Sequence, residues 1–274
     1  MNKEHIAAQI VLRAWPFLNG SGRITDRLFA NLKFSEKVAE VETSDGFKLS
    51  VFPNDLIGRH IYLTGKFDRT TVEVLVGLAK PGDTLLDIGA NIGYVSASFL
   101  ANVTNSTVIA VEPQPLVVDL LVQNLSQFSD RASIYPVALS DEDGTIGFHI
   151  DQRNLGASRV SADGDCRIEA WSGETFIRNS SPNKIDLIKI DVEGHELQVL
   201  SALRGAIGQH RPRAILFEDL AFRAAPSGPI GSLMRDIGYE VFVIVKTLNG
   251  FKMRPVLSEM DCVSIDYLAT RRPD

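Results

Sequence analysis

The segment Asp87-Ile88-Gly89-Ala90-Asn91-Ile92-Gly93-Tyr94 constrains the fold of this chain more than any other. It follows a short apolar run, Thr84–Ile88, and opens a helical stretch, Tyr94–Ala101. A buried strand that turns through glycines into a helix starts a βα unit. The rhythm then continues. Thr107–Val111 and Ala132–Val137 read as strands around a helix at Pro115–Phe128, with Leu116, Leu120 and Leu121 on one face. Ile185–Ile190, Ala214–Phe217, Tyr239–Val245 and Cys262–Tyr267 read as later strands, with Glu196–Leu203 and Ser232–Ile237 as helices. Thr145–Ile150 and Ser158–Val160 suggest an inserted hairpin. Short apolar strands alternating with amphipathic helices predict an α/β fold, a doubly wound and mostly parallel sheet covered on both faces.

The stretch before this rhythm has another texture. Residues 1–32 read as two helical pieces. Ile6, Ile10, Val11 and Trp15 fall at helical spacing, and Pro16 and Asn19-Gly20-Ser21-Gly22 interrupt them. A helix docked on the main domain accounts for this. Weak membrane-surface contact or dimerisation through the same helix is the alternative. Lys37–Leu56 alternates around the turn Ser44-Asp45-Gly46, a hairpin signal. A helix at Thr70–Ala79 and the turn Pro81-Gly82-Asp83 lead into the βα rhythm. The expected division is a helical and β-hairpin extension over 1–69 and a main domain over 70–274.

Composition narrows the function classes. With 28 basic and 34 acidic residues the chain carries a net charge of −6 and no basic run, so nucleic acid is not expected as a partner. Two cysteines, Cys166 and Cys262, can build neither a metal-ligand spacing nor a disulfide framework. No apolar run approaches the ~18 residues of a membrane span. The Ile6–Leu18 stretch contains Arg13 and Pro16 and lacks a convincing cleavage site, so no signal peptide is read and the cytoplasm is the expected compartment.

Ligands of an open α/β sheet bind beyond the carboxyl ends of its strands. Gly89 and Gly93 suit a turn that needs unusual backbone angles, and the helix that follows presents free N–H groups. The dinucleotide fingerprint G-x-G-x-x-G fails, because the spacing here is Gly89-x-Asn91-x-Gly93. Asp87 ends the first strand, where it can meet a positive ligand group. Glu112 ends the second, where a carboxylate can accept two ribose hydroxyls. One acid near the loop, a second one strand over and no pyrophosphate cradle fit an adenosine carrying an amino acid better than NAD.

Asp87–Tyr94 resembles motif I of class I S-adenosylmethionine-dependent methyltransferases, and its wording is similar to that of the FkbM family. Ile185-Asp186-Leu187-Ile188-Lys189-Ile190-Asp191-Val192-Glu193-Gly194-His195-Glu196 resembles that family's second signature. Val111-Glu112-Pro113, Asn124 and Ile215-Leu216-Phe217-Glu218 match its intermediate and following patterns. The resemblance runs from about Asp55 to Tyr267. It implies a seven-stranded Rossmann-like sheet with the last strand antiparallel, S-adenosylmethionine as cofactor, and methyl transfer to a hydroxyl oxygen of a sugar, glycolipid, polysaccharide or natural product. It implies main-chain contacts to the cofactor from Gly89 and Gly93, Glu112 on the ribose, and Asn91 and Tyr94 around the methionine tail. Ala138, Leu139 and Ser140 fall where the adenine would sit, with Asp141 as its amine partner.

The block after the fourth strand sets Asp191, Glu193, His195 and Glu196 within six residues. An acceptor hydroxyl must lose a proton, and His195 is the natural base because its ordinary pKa lies near neutrality. Asp191 or Glu193 could orient it, take the proton or hold sugar hydroxyls. Lys189 is expected to pair with an internal acid, and no metal is assigned. Glu218-Asp219 could join the substrate site, and Arg153 and Arg159 read as surface charge or as partners of an anionic group. An NAD(P)-dependent oxidoreductase and a non-catalytic cofactor-binding protein remain the alternatives.

Overall fold

The computed structural model describes residues 3–35, 37–152 and 154–271. Strands β1 (Ala39–Glu42) and β2 (Lys48–Val51) form the N-terminal hairpin. The main sheet takes β3 (Thr84–Ile88), β4 (Thr107–Val111) and β5 (Ala132–Tyr135). A smaller sheet is built from β6 (Ala138–Ser140), β7 (Gly144–His149), β8 (Arg159–Val160) and β9 (Cys166–Ser172). The main sheet is completed by β10 (Leu187–Ile190), β11 (Ala214–Glu218), β12 (Tyr239–Thr247), β13 (Gly250–Pro255) and β14 (Asp266–Arg271).

The main sheet has the order β13-β12-β14-β11-β10-β3-β4-β5. Strands β11, β10, β3, β4 and β5 are mutually parallel. β14 enters antiparallel between β11 and β12. The seven strands expected from the resemblance are therefore present, and β13 adds an eighth by hairpinning onto β12. The sequence order reverses between β10 and β3, which places a crevice beyond their carboxyl ends.

Side chains alternate across the sheet. Leu85, Val108, Leu187 and Leu216 face one apolar cluster, and Leu86, Ile109, Ile188 and Ile215 the other. Helices α1 (Lys3–Arg13), α2 (Ser21–Leu28), α3 (Leu56–Thr64), α4 (Arg69–Leu78), α5 (Tyr94–Asn102) and α6 (Pro115–Leu125) precede β5. Helices α7 (Gly173–Ser180), α8 (Glu196–Ala202), α9 (Arg204–His210) and α10 (Pro229–Asp236) follow β9. The first cluster also contains Leu12, Phe34, Leu49 and Ile61, so the N-terminal segment shares its core with the sheet.

Three local expectations change. In α1 the buried residues are His5, Ala8 and Leu12, whereas Ile6, Ile10 and Val11 are exposed. The inward face is selected by polar and aromatic partners: His5 packs on Phe34 with ring centroids 4.5 Å apart, and Gln9 donates to the Tyr62 carbonyl at 2.9 Å. In α6 Val117, not Leu116, joins Leu120 and Leu121 inside. The strand read as Ala132–Val137 breaks after Tyr135, and the chain restarts as β6, which pairs with β9. Among the described residues no helix is long and apolar enough to cross a membrane.

Candidate active site

The loop after β3 is held by its own backbone. Gly89 and Ala90 N–H groups donate to the Val111 carbonyl at 2.9 and 3.1 Å. Gly89, Asn91 and Gly93 all have left-handed φ, at +74°, +48° and +85°. Asparagine tolerates that region and glycine occupies it freely. Both glycines also answer a close approach within the chain. A Cβ on Gly89 would stand 1.8 Å from the Asp191 carbonyl oxygen, and one on Gly93 2.8 Å from Leu121 Cδ1. Asn124 fastens the loop from outside, donating to the Ile92 carbonyl at 2.8 Å and to the Ser50 carbonyl at 2.9 Å.

Glu112 lies one strand over and is buried. Its carboxylate accepts from the N–H groups of Asn91 and Gln114, each at 2.8 Å. Burial pushes it up to about 7, although these two bonds favour the ionised form. Gln114 is also buried and lines the same cleft, and its Nε2 has no hydrogen-bond partner among the described residues. An orphaned buried donor beside Glu112 fits a ligand acceptor group there. Nothing in the sequence singled out Gln114 beyond its place two residues after Glu112.

Asp87 and Lys189 face each other across β3 and β10, in register and on one face of the sheet. The Lys189 ammonium lies 3.2 Å from Asp87 and 3.7 Å from Asp191, and donates to the Gly89 carbonyl at 2.7 Å. Burial works to lower the Lys189 pKa, but Asp87 and Asp191 outweigh it and hold it above its ordinary value. Asp87 also accepts from Ser96 Oγ at 2.6 Å and is fully buried. The pairing expected for Lys189 is thus present, and Asp87 sits beneath the loop instead of in the cleft.

The block after β10 turns sharply. Glu193 and Gly194 have φ of +52° and +102°. Arg223 clamps this turn, donating to the Gly194 carbonyl at 3.0 Å, to Glu196 at 2.6 Å and to Asp219 at 2.9 Å. Glu196 and Asp219 are both buried and belong to this clamp. Burial, then Asp191 and Glu196, push Glu193 up to about 7. His195 lies 3.3 Å from Ser140 Oγ through Nε2, and burial lowers its pKa despite the opposing charges of Asp141 and Glu196. Burial, then Asp191, Asp266 and Asp68, raise Glu218 to about 9.

One cleft collects most of the expected site. Gly89, Asn91, Tyr94, Glu112, Asp191, Glu193 and His195 line it. Gly93, Asp87 and Asp141 do not; Asp141 is exposed on the turn after β6. Ala138 and Leu139 are in the wall, and Ser140 reaches it only through His195. Arg159 is exposed near Glu193, whose charge it favours, and Arg153 lies outside the described residues. Phe67 and Asp68, ahead of α4, close the far side and carried no motif. Among the described residues no group of His, Cys, Asp and Glu is arranged to hold a metal.

The parallel sheet, its antiparallel β14 and the glycine loop beside Glu112 define a Rossmann-like α/β fold. The methyltransferase FkbM domain model matches residues 87–241, and the chain belongs to that family. A hexuronic acid methyltransferase, AglP, from Haloferax volcanii is 33% identical over 145 residues, covering 51% of this chain and 58% of the relative. A 2-O-methyltransferase, NoeI, from Sinorhizobium fredii is 27% identical over 143 residues, covering 45% of this chain and 58% of the relative. The aligned part thus spans under two thirds of either relative. Among solved structures, precorrin-6y C5,15-methyltransferase from Geobacter metallireducens shares 15% identity with a TM-score of 0.40, over 74% of this chain and 86% of that one.

Proposed function

We propose that this chain is an S-adenosylmethionine-dependent O-methyltransferase whose acceptor is a sugar hydroxyl, with residues 70–274 as the catalytic domain. One observation carries the cofactor: Glu112 and the orphaned Gln114 amide stand together at the end of β4, beside the left-handed Gly89–Gly93 loop. Sugar as acceptor class is supported by the two relatives, named for hexuronic acid methylation and 2-O-methylation. It is also supported by the polar groups gathered at the ends of β10 and β11.

When bound, the cofactor supplies an electrophilic methyl group on a sulfonium. Glu112 is placed to accept the ribose hydroxyls, and Gln114 Nε2 to donate beside it. Ala138 and Leu139 offer an apolar wall for the adenine, and Asn91 and Tyr94 border the amino-acid tail. Asp87 acts through Lys189, which fixes the Gly89 carbonyl and the Asp191 carboxylate together. His195, whose charged form burial disfavours, is the proton acceptor for the sugar hydroxyl. Asp191 and Glu193 hold the acceptor's hydroxyls in line with the methyl group, and such positioning carries much of the rate in a displacement.

Calorimetry with S-adenosylhomocysteine, NAD and NADP tests this reading. S-adenosylhomocysteine is expected to bind, and Glu112→Ala to weaken it at least about tenfold, as loss of a charge-assisted pair does. Binding of NAD without S-adenosylhomocysteine would overturn the assignment and favour the oxidoreductase alternative.

A further inference from the structure

A second cavity lies beside the cleft and shares part of its lining. Its walls are the Leu18–Arg23 turn into α2, His60 of α3, the Lys66–Arg69 segment, and Lys246–Leu248 at the end of β12. Phe67 and Asp68 line both cavities. β12 is antiparallel to β14, which is antiparallel to β11, so its end lies on the same edge of the sheet as the cleft. Asp68 is near enough to Asp191 that its charge helps raise the Asp191 carboxyl, after burial and against Lys189.

The cations of these walls are unequally partnered. Arg23, Lys66, Arg69 and Lys246 face one carboxylate, Asp68. Two of the four are neutralised. Arg69 meets Asp45 at 2.5 Å and Glu73 at 2.8 Å, and Lys246 meets Asp68 at 3.3 Å and Asp266 at 3.0 Å. His60 is held by Asp26 at 2.6 Å. That leaves half-buried Lys66, whose ammonium reaches the Phe17 carbonyl at 3.4 Å, and exposed Arg23 on the first turn of α2. Neither has a carboxylate partner among the described residues. Desolvation together with the Arg69 charge disfavours the Lys66 ammonium. A cation so placed is stabilised by an anion brought in from outside.

We propose that this cavity is an anion subsite for the acceptor, taking the carboxylate or phosphate group of an acidic sugar while the hydroxyl to be methylated lies in the cleft across Asp68. The proposal rests on the O-methyltransferase reading and narrows it from sugars to acidic sugars. Asp68 lines both cavities, and its carboxylate meets Lys246, not Lys66 or Arg23.

The test uses three probes: methyl glucuronide as the carboxylate, glucose 1-phosphate as the phosphate and methyl glucoside as the neutral control. Each is titrated calorimetrically into the full chain, with and without saturating S-adenosylhomocysteine. One charged probe is expected to bind at least about tenfold more tightly than the neutral one, with affinity falling as salt is added. Which one binds identifies the source of the anion. Lys66→Gln and Arg23→Gln should each weaken that probe about tenfold while leaving S-adenosylhomocysteine affinity unchanged, which also reports an intact fold. Equal binding of charged and neutral probes, no binding of either charged probe, or unchanged affinity in both variants overturns the subsite. Failure of the wild type to bind S-adenosylhomocysteine instead overturns the O-methyltransferase reading, and anion binding is still measured in the cofactor-free titrations.

Discussion

The proposed methyl transfer needs a group that takes the acceptor's proton, and the surroundings of His195 and Glu193, the two candidates in the cleft, move their pKa values apart. Burial holds His195 below its ordinary value of 6.5, and burial with neighbouring acids lifts Glu193 to about 7. A base must be deprotonated to act, so the rate rises with pH through its pKa. If His195 is the base, the midpoint of the kcat profile should lie below 6.5. If Glu193 is the base, kcat should still be climbing through about 7. His195→Ala is expected to lower kcat about 10²–10⁴-fold with S-adenosylhomocysteine affinity unchanged. A rate profile with its midpoint near 7 that persists in His195→Ala and vanishes in Glu193→Gln would move the role to Glu193.

At the scale of the elements, the loops after β3 and β10 are one construction. Gly89 exists where it does because the Asp191 carbonyl fills the place of its Cβ, and Lys189 then joins the Gly89 carbonyl to Asp191 from below. Gly194 has no such neighbour, only a φ of +102°. Gly194→Ala should therefore cost about 1 kcal/mol, the strain of a positive φ. Gly89→Ala adds a backbone collision to the same strain and should cost about 3 kcal/mol or more. Thermal or urea unfolding of the two variants checks the order, and equal losses would mean the two loops are not locked. The signature residues made both loops legible before any coordinates. The lock itself was not, since it depends on β10 lying next to β3 in space. Helix α3 is the opposite case. Its Asp55 cap, which accepts from Ile57 at 3.0 Å and Gly58 at 3.3 Å, and its closing Gly65 were readable signals that the alternating hairpin beside them obscured. The other Asp55 oxygen accepts from Leu155 N–H at 2.7 Å, a contact 100 residues away that sets the cleft wall and leaves no local trace. Gln114, Phe67 and Asp68 were missed for the same reason: their importance comes from facing a cavity, and no residue pattern records that.

Across the whole molecule, the edge of the sheet that carries the cleft concentrates carboxyl groups away from water. Glu112 and Glu193 are raised to about 7 and Glu218 to about 9, each first by burial. An acid whose pKa is higher folded than unfolded binds protons more tightly in the native state, so stability falls as pH rises through the interval between the two values. His195 and His210, both lowered by burial, work the other way, but only below their ordinary value of 6.5. Lys189 and Lys246 are raised, so their contribution is intact until far into the alkaline range. Glu112 and Glu193 exert most of their effect between 4.5 and about 7, whereas Glu218 spans 4.5 to about 9, so between pH 6.5 and 8.5 Glu218 sets the slope and the melting temperature of the cofactor-free protein should drop across that window. Glu218→Gln removes the group that must ionise in the interior across that window and should flatten the drop. A melting temperature that is level or rising from pH 6.5 to 8.5 would mean that solvent reaches these carboxylates. Under the proposed function, a cationic sulfonium bound at this edge of the sheet would offset the charge of these carboxylates. Saturating S-adenosylmethionine should accordingly stabilise the protein more at pH 8.5 than at pH 6.5, and thermal shifts at the two pH values measure that difference directly.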